Sequence, residues 1–193
     1  MSRSWIAGTG ENAYLRGMME ENSFKDRLTE HLLRICTSEG YLGGTLLSSP
    51  DIDEAWVRYA PSYYADAVHE FNGYPEFTLA CAGFLGMAVA ALWDRDWPRY
   101  REMPYSFFLG ERGFDDMDDH IAADILKDRK WAPSALQSVS GAAYHYLMKE
   151  HPEAGTVEAY RLFLAACEVL FKIGAAIELH RLGYKYEKVD LVN

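Results

Sequence analysis

Two carboxylate–histidine pairs have a spacing that could bind a metal ion. Asp66 and His69 lie three residues apart, and Asp116 and His120 lie four apart. Side chains at these spacings share one face of a helix, so a carboxylate and an imidazole could reach the same ion. Helical bundles build di-iron sites from two Glu-x-x-His pairs and two further Glu residues, and the sequence contains no Glu-x-x-His. The four residues allow a simpler metal site, but solvated helix faces with local salt bridges are the favoured interpretation.

Residues 115–119 form the densest acidic cluster, Asp-Asp-Met-Asp-Asp. This run fits the Asp-Asp-x-x-Asp string with which some prenyl-diphosphate enzymes hold magnesium, and carboxylates suit hard cations. The chain has neither a second acidic motif nor a basic cluster for a diphosphate. Acidic side chains also favour the positive end of a helix, so the cluster is interpreted as a helix start.

The segment 93–110 combines large aromatic residues with arginines, the residue types that anchor protein interfaces. Arginine guanidinium groups also stack on aromatic rings. Pro98 and Pro104 prevent one regular helix from spanning the segment. Its large side chains could serve a partner or simply seal the core, and both interpretations stay open because irregular backbone often carries function. The interface candidates are Trp97, Arg99, Tyr100, Arg101, Tyr105 and Phe108.

Residues 77–93 carry no charge over 17 positions and must be covered on every side if they form a helix. The segment is shorter than the roughly 20 apolar residues that span a membrane, which favours a buried helix of a soluble protein. Ala82, Gly86 and Ala90 recur every four residues, so they form a flat strip on one helix face. We expect another helix backbone to approach this strip closely.

The remaining elements are predicted from helix-start residues and from apolar faces with a 3.6-residue period. Pro61 should break or kink the second helix, because proline lacks the amide hydrogen and clashes with the preceding turn. The sequence thus predicts an all-α, single-domain bundle of about six main helices around the apolar helix of residues 77–93. We expect a flexible N-terminal arm (1–21), a helical domain (22–183) and a C-terminal tail (184–193). Helix starts are expected at Ser23, Ser49, Asp115, Pro133 and Thr156.

The composition restricts the partners and the compartment. The net charge is −10, which argues against nucleic-acid binding through phosphates and against an anionic membrane surface. Three cysteines without a paired spacing are typical of buried thiols in a reducing compartment. No apolar run near the start resembles a signal peptide. We therefore expect a cytoplasmic protein.

No motif predicts an enzymatic activity or a cofactor. The sequence has no nucleophile elbow, phosphate-binding loop or dinucleotide-binding glycine pattern. The favoured hypothesis is a non-enzymatic, soluble all-α protein that acts through self-association, as a twofold homodimer, or through another protein partner. A metal-binding protein or metal-dependent enzyme that uses Asp66, His69, Asp116 and His120 is the alternative.

Overall fold

The computed structural model describes residues 7–71 and 73–185, with side chains from residue 17 onward. The described chain is an all-α bundle without a strand. Two 3₁₀ turns, Tyr105–Phe108 and Phe114–Asp116, interrupt the connection after α3, and a π-type turn, Ile121–Ile125, continues α4. The helices are α1 (Ala7–Ser38), α2 (Pro50–Glu70), α3 (Pro75–Tyr100), α4 (Met117–His120), α5 (Ala132–Lys149) and α6 (Val157–Arg181).

Several helix starts are confirmed by local hydrogen bonds. The Ser49 hydroxyl accepts a hydrogen bond from the amide of Ile52 at 3.4 Å, directly ahead of Pro50 in the first turn of α2. The Thr156 hydroxyl accepts one from the amide of Ala159 at 3.1 Å. Each hydroxyl satisfies an amide that the first helical turn leaves without a partner.

Three elements differ from the sequence predictions. Helix α1 begins at Ala7 instead of Ser23, and residues 1–6 lie outside the described residues. Helix α2 continues through Pro61, because this proline is on the solvent side, where water can bond the carbonyl that proline leaves free. Helix α4 begins at Met117 instead of Asp115 and is only four residues long, although Met117 and Ile121 are buried.

Helix α3 is the centre of the molecule, as the sequence predicted. It packs mainly against α6 and α5, and its side chains from Cys81 to Leu92 are all buried. By length and composition α3 is the one described helix that could cross a membrane, but most of its apolar window is buried in the fold. Such burial is compatible with the core helix of a soluble protein.

Glycines bring α3 and α6 into backbone contact. A Cβ atom on Gly86 would overlap the carbonyl oxygen of Phe171, and one on Gly174 would overlap the carbonyl oxygen of Gly83. The two helices run in the same direction, since the Tyr184 hydroxyl beyond α6 donates a 3.0 Å hydrogen bond to Asp94 near the end of α3. The predicted close approach at Gly86 is confirmed.

Two helical hairpins, α2–α3 and α5–α6, are packed across one another, and α1 packs against α6 and α5. Helix α2 packs more extensively on α6 than on α3, and α5 packs more extensively on α3 than on α6. For example, Trp56 of α2 meets Phe171 of α6 with a centroid separation of 5.1 Å. Each hairpin therefore completes the core of the other.

Glu178 is a fully buried carboxylate near the end of α6. Arg129 donates to its Oε1 from Nε at 3.1 Å and from a terminal nitrogen at 2.7 Å. Arg181, on the next turn, donates to both carboxylate oxygens at 2.8 Å. These charge-assisted hydrogen bonds fix the segment between α4 and α5 against the end of α6.

Candidate functional site

The aromatic–arginine surface lies where α3 ends. We define it as Trp97, Arg99, Tyr100, Arg101 and Phe107. The indole of Trp97 is 37% exposed and the ring of Phe107 is 36% exposed. The Arg101 guanidinium lies 6.0 Å from the Trp97 ring, and that of Arg99 lies 5.2 Å from the Tyr100 ring. Stacking keeps these cations on a partly exposed aromatic layer.

A break in the helical backbone of α3 positions the aromatic–arginine surface. Asp96 has an extended backbone (φ −163°, ψ 87°), and its carboxylate accepts a 3.3 Å hydrogen bond from the amide of Arg99. Asp96 thus caps a new helical turn that contains Pro98 near its start, a position that proline tolerates. This turn carries Trp97 to the rim of the bundle, where its ring meets Trp93 edge-on at 4.7 Å.

Helix α2 fixes the segment that follows. Arg58 donates a 2.8 Å hydrogen bond to the carbonyl of Arg101, and the Tyr59 hydroxyl donates one of 2.9 Å to the carbonyl of Met103. The Trp93 indole donates to the carbonyl of Tyr100 at 3.3 Å. These contacts give an irregular backbone its hydrogen-bond partners and a defined position.

A cleft of about 350 Å³ separates α2 from the aromatic–arginine surface. Its α2 wall carries Asp51, Glu54 and Arg58, and its opposite wall carries Trp93, Trp97, Arg101 and Glu102. Acidic and basic side chains thus line the same opening as the two indoles. We call it the α2 cleft.

Two predicted interface residues do not belong to this surface. Phe108 is 1% exposed and packs edge-on against Tyr59 at 5.5 Å, so it is part of the core. Tyr105 is half-buried and packs near Tyr63. Burial, with the charge of Asp66 nearby, raises the pKa of Tyr105. The 3₁₀ turn directs these two rings inward. The sequence shows only that aromatic and basic residues alternate here, and this pattern does not indicate which rings are buried.

Three of the predicted metal ligands are engaged elsewhere or exposed, and the fourth, Asp66, is partly exposed beside Tyr105. Asp116 accepts hydrogen bonds from the backbone amide of Arg112 at 3.1 and 3.2 Å. His120 bonds to Asp124 at 2.9 Å and to the carbonyl of Phe107 at 3.2 Å, and His69 is exposed. Within the described residues, no three His, Cys, Asp or Glu side chains lie close enough to hold a metal ion. The metal hypothesis thus gains no support from the geometry.

A second cavity, of about 370 Å³, lies between α3, α4 and α5. Two carboxylates, Glu76 and Asp118, and two phenyl rings, Phe77 and Phe84, contribute to its lining. Burial is the largest cause of the raised pKa of Asp118, and the charges of Asp119 and Asp116 act in the same direction, whereas hydrogen bonds from the backbone of Asp119 and Asp118 lower this pKa. We call it the α3–α5 cavity.

The sequence alone does not indicate that α2 and α5 contribute residues to these two sites. Nothing in the sequence marks Asp51, Glu54, Gln137 or Ser140 as residues that line a cavity. Their position opposite α3 depends on how the hairpins cross, and one sequence contains no pattern for such crossings. Asp118 lies in the acidic cluster that the sequence highlighted, but its side chain faces a cavity.

Comparison with known proteins adds no assignment. No family model matches the chain, no curated protein matches it, and no solved structure matches it. The inferences below therefore depend on the geometry of this chain.

Proposed function

We propose that this protein acts by binding another protein molecule through the aromatic–arginine surface, and that its first partner is a second copy of itself. The observation that carries the proposal is the partly exposed indole of Trp97, which has an edge-on indole behind it and an arginine at its face. Tryptophan, tyrosine and arginine are the residues that most often dominate binding energy. Under this proposal the chain works through contact and not through catalysis.

The charges around the surface favour a twofold arrangement. A twofold contact places the same patch on both subunits, so each residue type must find its complement within that patch. The α2 cleft carries Asp51, Glu54 and Arg58 on one wall and Arg101 and Glu102 on the other. Both walls are mixed in charge, so two copies related by a twofold axis can pair Asp51 or Glu54 of one with Arg101 of its partner. This pairing offsets the repulsion between two chains that each carry a net charge of −10.

Light scattering coupled to size exclusion tests the proposal. We expect a species near twice the single-chain mass of 21.9 kDa. The double variant Trp97→Ala, Tyr100→Ala should weaken the dimer by about 30-fold or more, because truncating one hot-spot residue costs about 2 kcal/mol. A single-chain mass at every protein concentration would reject self-association.

The matched control removes exposed apolar side chains from other faces. Tyr74 is 66% exposed and Met148 is 46% exposed, and neither lies near the aromatic–arginine surface in sequence. The double variant Tyr74→Ala, Met148→Ala should leave the dimer unchanged. If this control dissociates the dimer and the Trp97 variant does not, the interface lies elsewhere.

We also propose that the protein is cytoplasmic. Cys36, Cys81 and Cys167 are free and buried, and burial raises the pKa of the Cys36 thiol to about 12. Such thiols persist without pairing in a reducing compartment. Cell fractionation tests this proposal, and recovery of the protein from a membrane or secreted fraction would reject it.

A further inference from the structure

The α3–α5 cavity is formed by one face of each long helix. Glu76, Phe77 and Phe84 lie on one face of α3, and Gln137 and Ser140 are one turn apart on α5. Asp118 of α4 lies at the same cavity. The Glu76 carboxylate lies beside Gly141 of α5, where a Cβ would be an ordinary 3.8 Å from Glu76 Oε2. The volume of about 370 Å³ is within the range of small-molecule sites.

The charge at this cavity is negative and has no counter-charge. Its lining residues include two carboxylates and no lysine, arginine or histidine. Neither Glu76 nor Asp118 forms an ion pair with any residue that the structure describes. Glu76 is exposed to solvent, whereas Asp118 is only partly exposed, and a carboxylate that is partly removed from water requires a compensating partner.

The remaining lining restricts the shape and polarity of that partner. Phe77 is half-buried and Phe84 is 4% exposed, so they offer an apolar wall. The faces of phenyl rings also attract cations. The Ser140 hydroxyl already donates to the carbonyl of Gln137 at 3.1 Å, which leaves its oxygen as an acceptor. Acceptors and aromatic rings therefore surround the cavity.

We propose that the α3–α5 cavity binds a small organic cation, an ammonium group attached to an apolar body. The ammonium group pairs with Asp118 and Glu76, and the apolar body packs on Phe77 and Phe84. An anion is disfavoured, because both charged side chains that line the cavity are acidic. The site is separate from the aromatic–arginine surface and does not depend on self-association.

Isothermal titration calorimetry with phenethylammonium tests the proposal, with 2-phenylethanol as the neutral analogue of the same shape. We expect phenethylammonium to bind with a millimolar or tighter dissociation constant, and 2-phenylethanol to bind at least about tenfold more weakly, because a charge-assisted hydrogen bond contributes about 1.5–3 kcal/mol. Protein-observed NMR should place the largest shifts at Ala80 and Gln137. Equal binding of the two probes, or no binding of phenethylammonium at millimolar concentration, would reject the proposal.

Isosteric variants test whether Asp118 and Glu76 are the carboxylates that bind the ammonium group. Asp118→Asn and Glu76→Gln should each weaken phenethylammonium binding by about tenfold, whereas Asp119→Asn, an exposed neighbour outside the cavity lining, should leave it unchanged. Circular dichroism checks that each variant is folded, and the two wild-type titrations decide the question if one variant is not. Unchanged affinity in both folded cavity variants would place the cation elsewhere and reject this site.

Discussion

Asp118 and Glu178 are two carboxylates removed from water to different degrees, and among the described residues only Glu178 has basic side chains as partners. Glu178 is fully buried and receives four hydrogen bonds from Arg129 and Arg181. Asp118 faces a cavity, and the charged neighbours that act on it, Asp116 and Asp119, are both acidic. The first carboxylate holds the fold together, and the second is available to a ligand.

The uncompensated charge of Asp118 predicts a pH-dependent gain in stability on neutralisation. Burial raises the pKa of Asp118 in the folded chain above the unfolded value of 3.8. The folded state therefore binds this proton more tightly, and the associated stability is lost as the pH rises through the folded pKa. We expect Asp118→Asn to raise the Tm at about pH 7 and to leave it nearly unchanged below about pH 3.

Thermal melts at both pH values, followed by circular dichroism, measure this difference. The groups that face Asp118 are Glu76 across the cavity, Cys81 on α3, and Asp116 and Asp119 on its own segment. Asp119→Asn is the control, since its side chain is exposed and should change the Tm little at either pH. An equal gain for Asp118→Asn at both pH values would show that packing and not charge is responsible.

The residue types in the sequence indicate the role of some of these surface and buried positions and not of others. Trp97 and Arg101 were predicted because tryptophan and arginine stand out in an acidic chain, and both lie at the surface. Phe108 has the same character in the sequence but points into the core. Glu178 carried no signal, because a glutamate in the last turns of a helix resembles an ordinary solvated charge.

The α3–α6 crossing is a property of whole helices, and its glycines are the contact points. Gly86 and Gly174 each lie against the backbone of the other helix, so a methyl group at either position must push the helices apart. We expect Gly86→Ala and Gly174→Ala each to lower the free energy of unfolding by about 1–3 kcal/mol or more, despite the better helix propensity of alanine.

Urea denaturation measures the change, and Gly141 supplies the matched control. Gly141 is inside α5, and a Cβ there would meet only an ordinary contact at 3.8 Å. Gly141→Ala should therefore be neutral or stabilising by up to about 1 kcal/mol. If Gly86→Ala and Gly141→Ala behave alike, the helices do not touch at the glycines.

Local chemistry made some elements predictable and left others open. Ser49, Thr156 and Pro133 mark helix starts because capping is decided within one turn. The early start of α1 and the short length of α4 have no such local signal. At Pro61 the local signal is misleading. A proline normally interrupts a helix, but it is tolerated where solvent reaches the carbonyl that it leaves without a hydrogen-bond donor.

The crossed hairpins should make the whole molecule unfold as one unit. Neither α2–α3 nor α5–α6 has a complete core alone, because α3 packs chiefly on α6 and α5 of the other hairpin. We expect the urea transitions followed by far-ultraviolet circular dichroism and by tryptophan fluorescence to coincide. Trp56 and Trp131 report on α2 and on the start of α5. Separate midpoints would contradict this prediction.

The placement of α3 has a consequence during protein synthesis. Helix α3 is complete at Tyr100, but its main partner α6 ends at Arg181, 81 residues later. At about 5–20 residues per second, translation leaves about 4–16 s in which this apolar helix lacks its main cover. Its hydropathy and length are also sufficient for a membrane segment. Until α6 has been synthesised, α3 is therefore an exposed apolar helix, the kind of surface that makes an incomplete chain prone to aggregation.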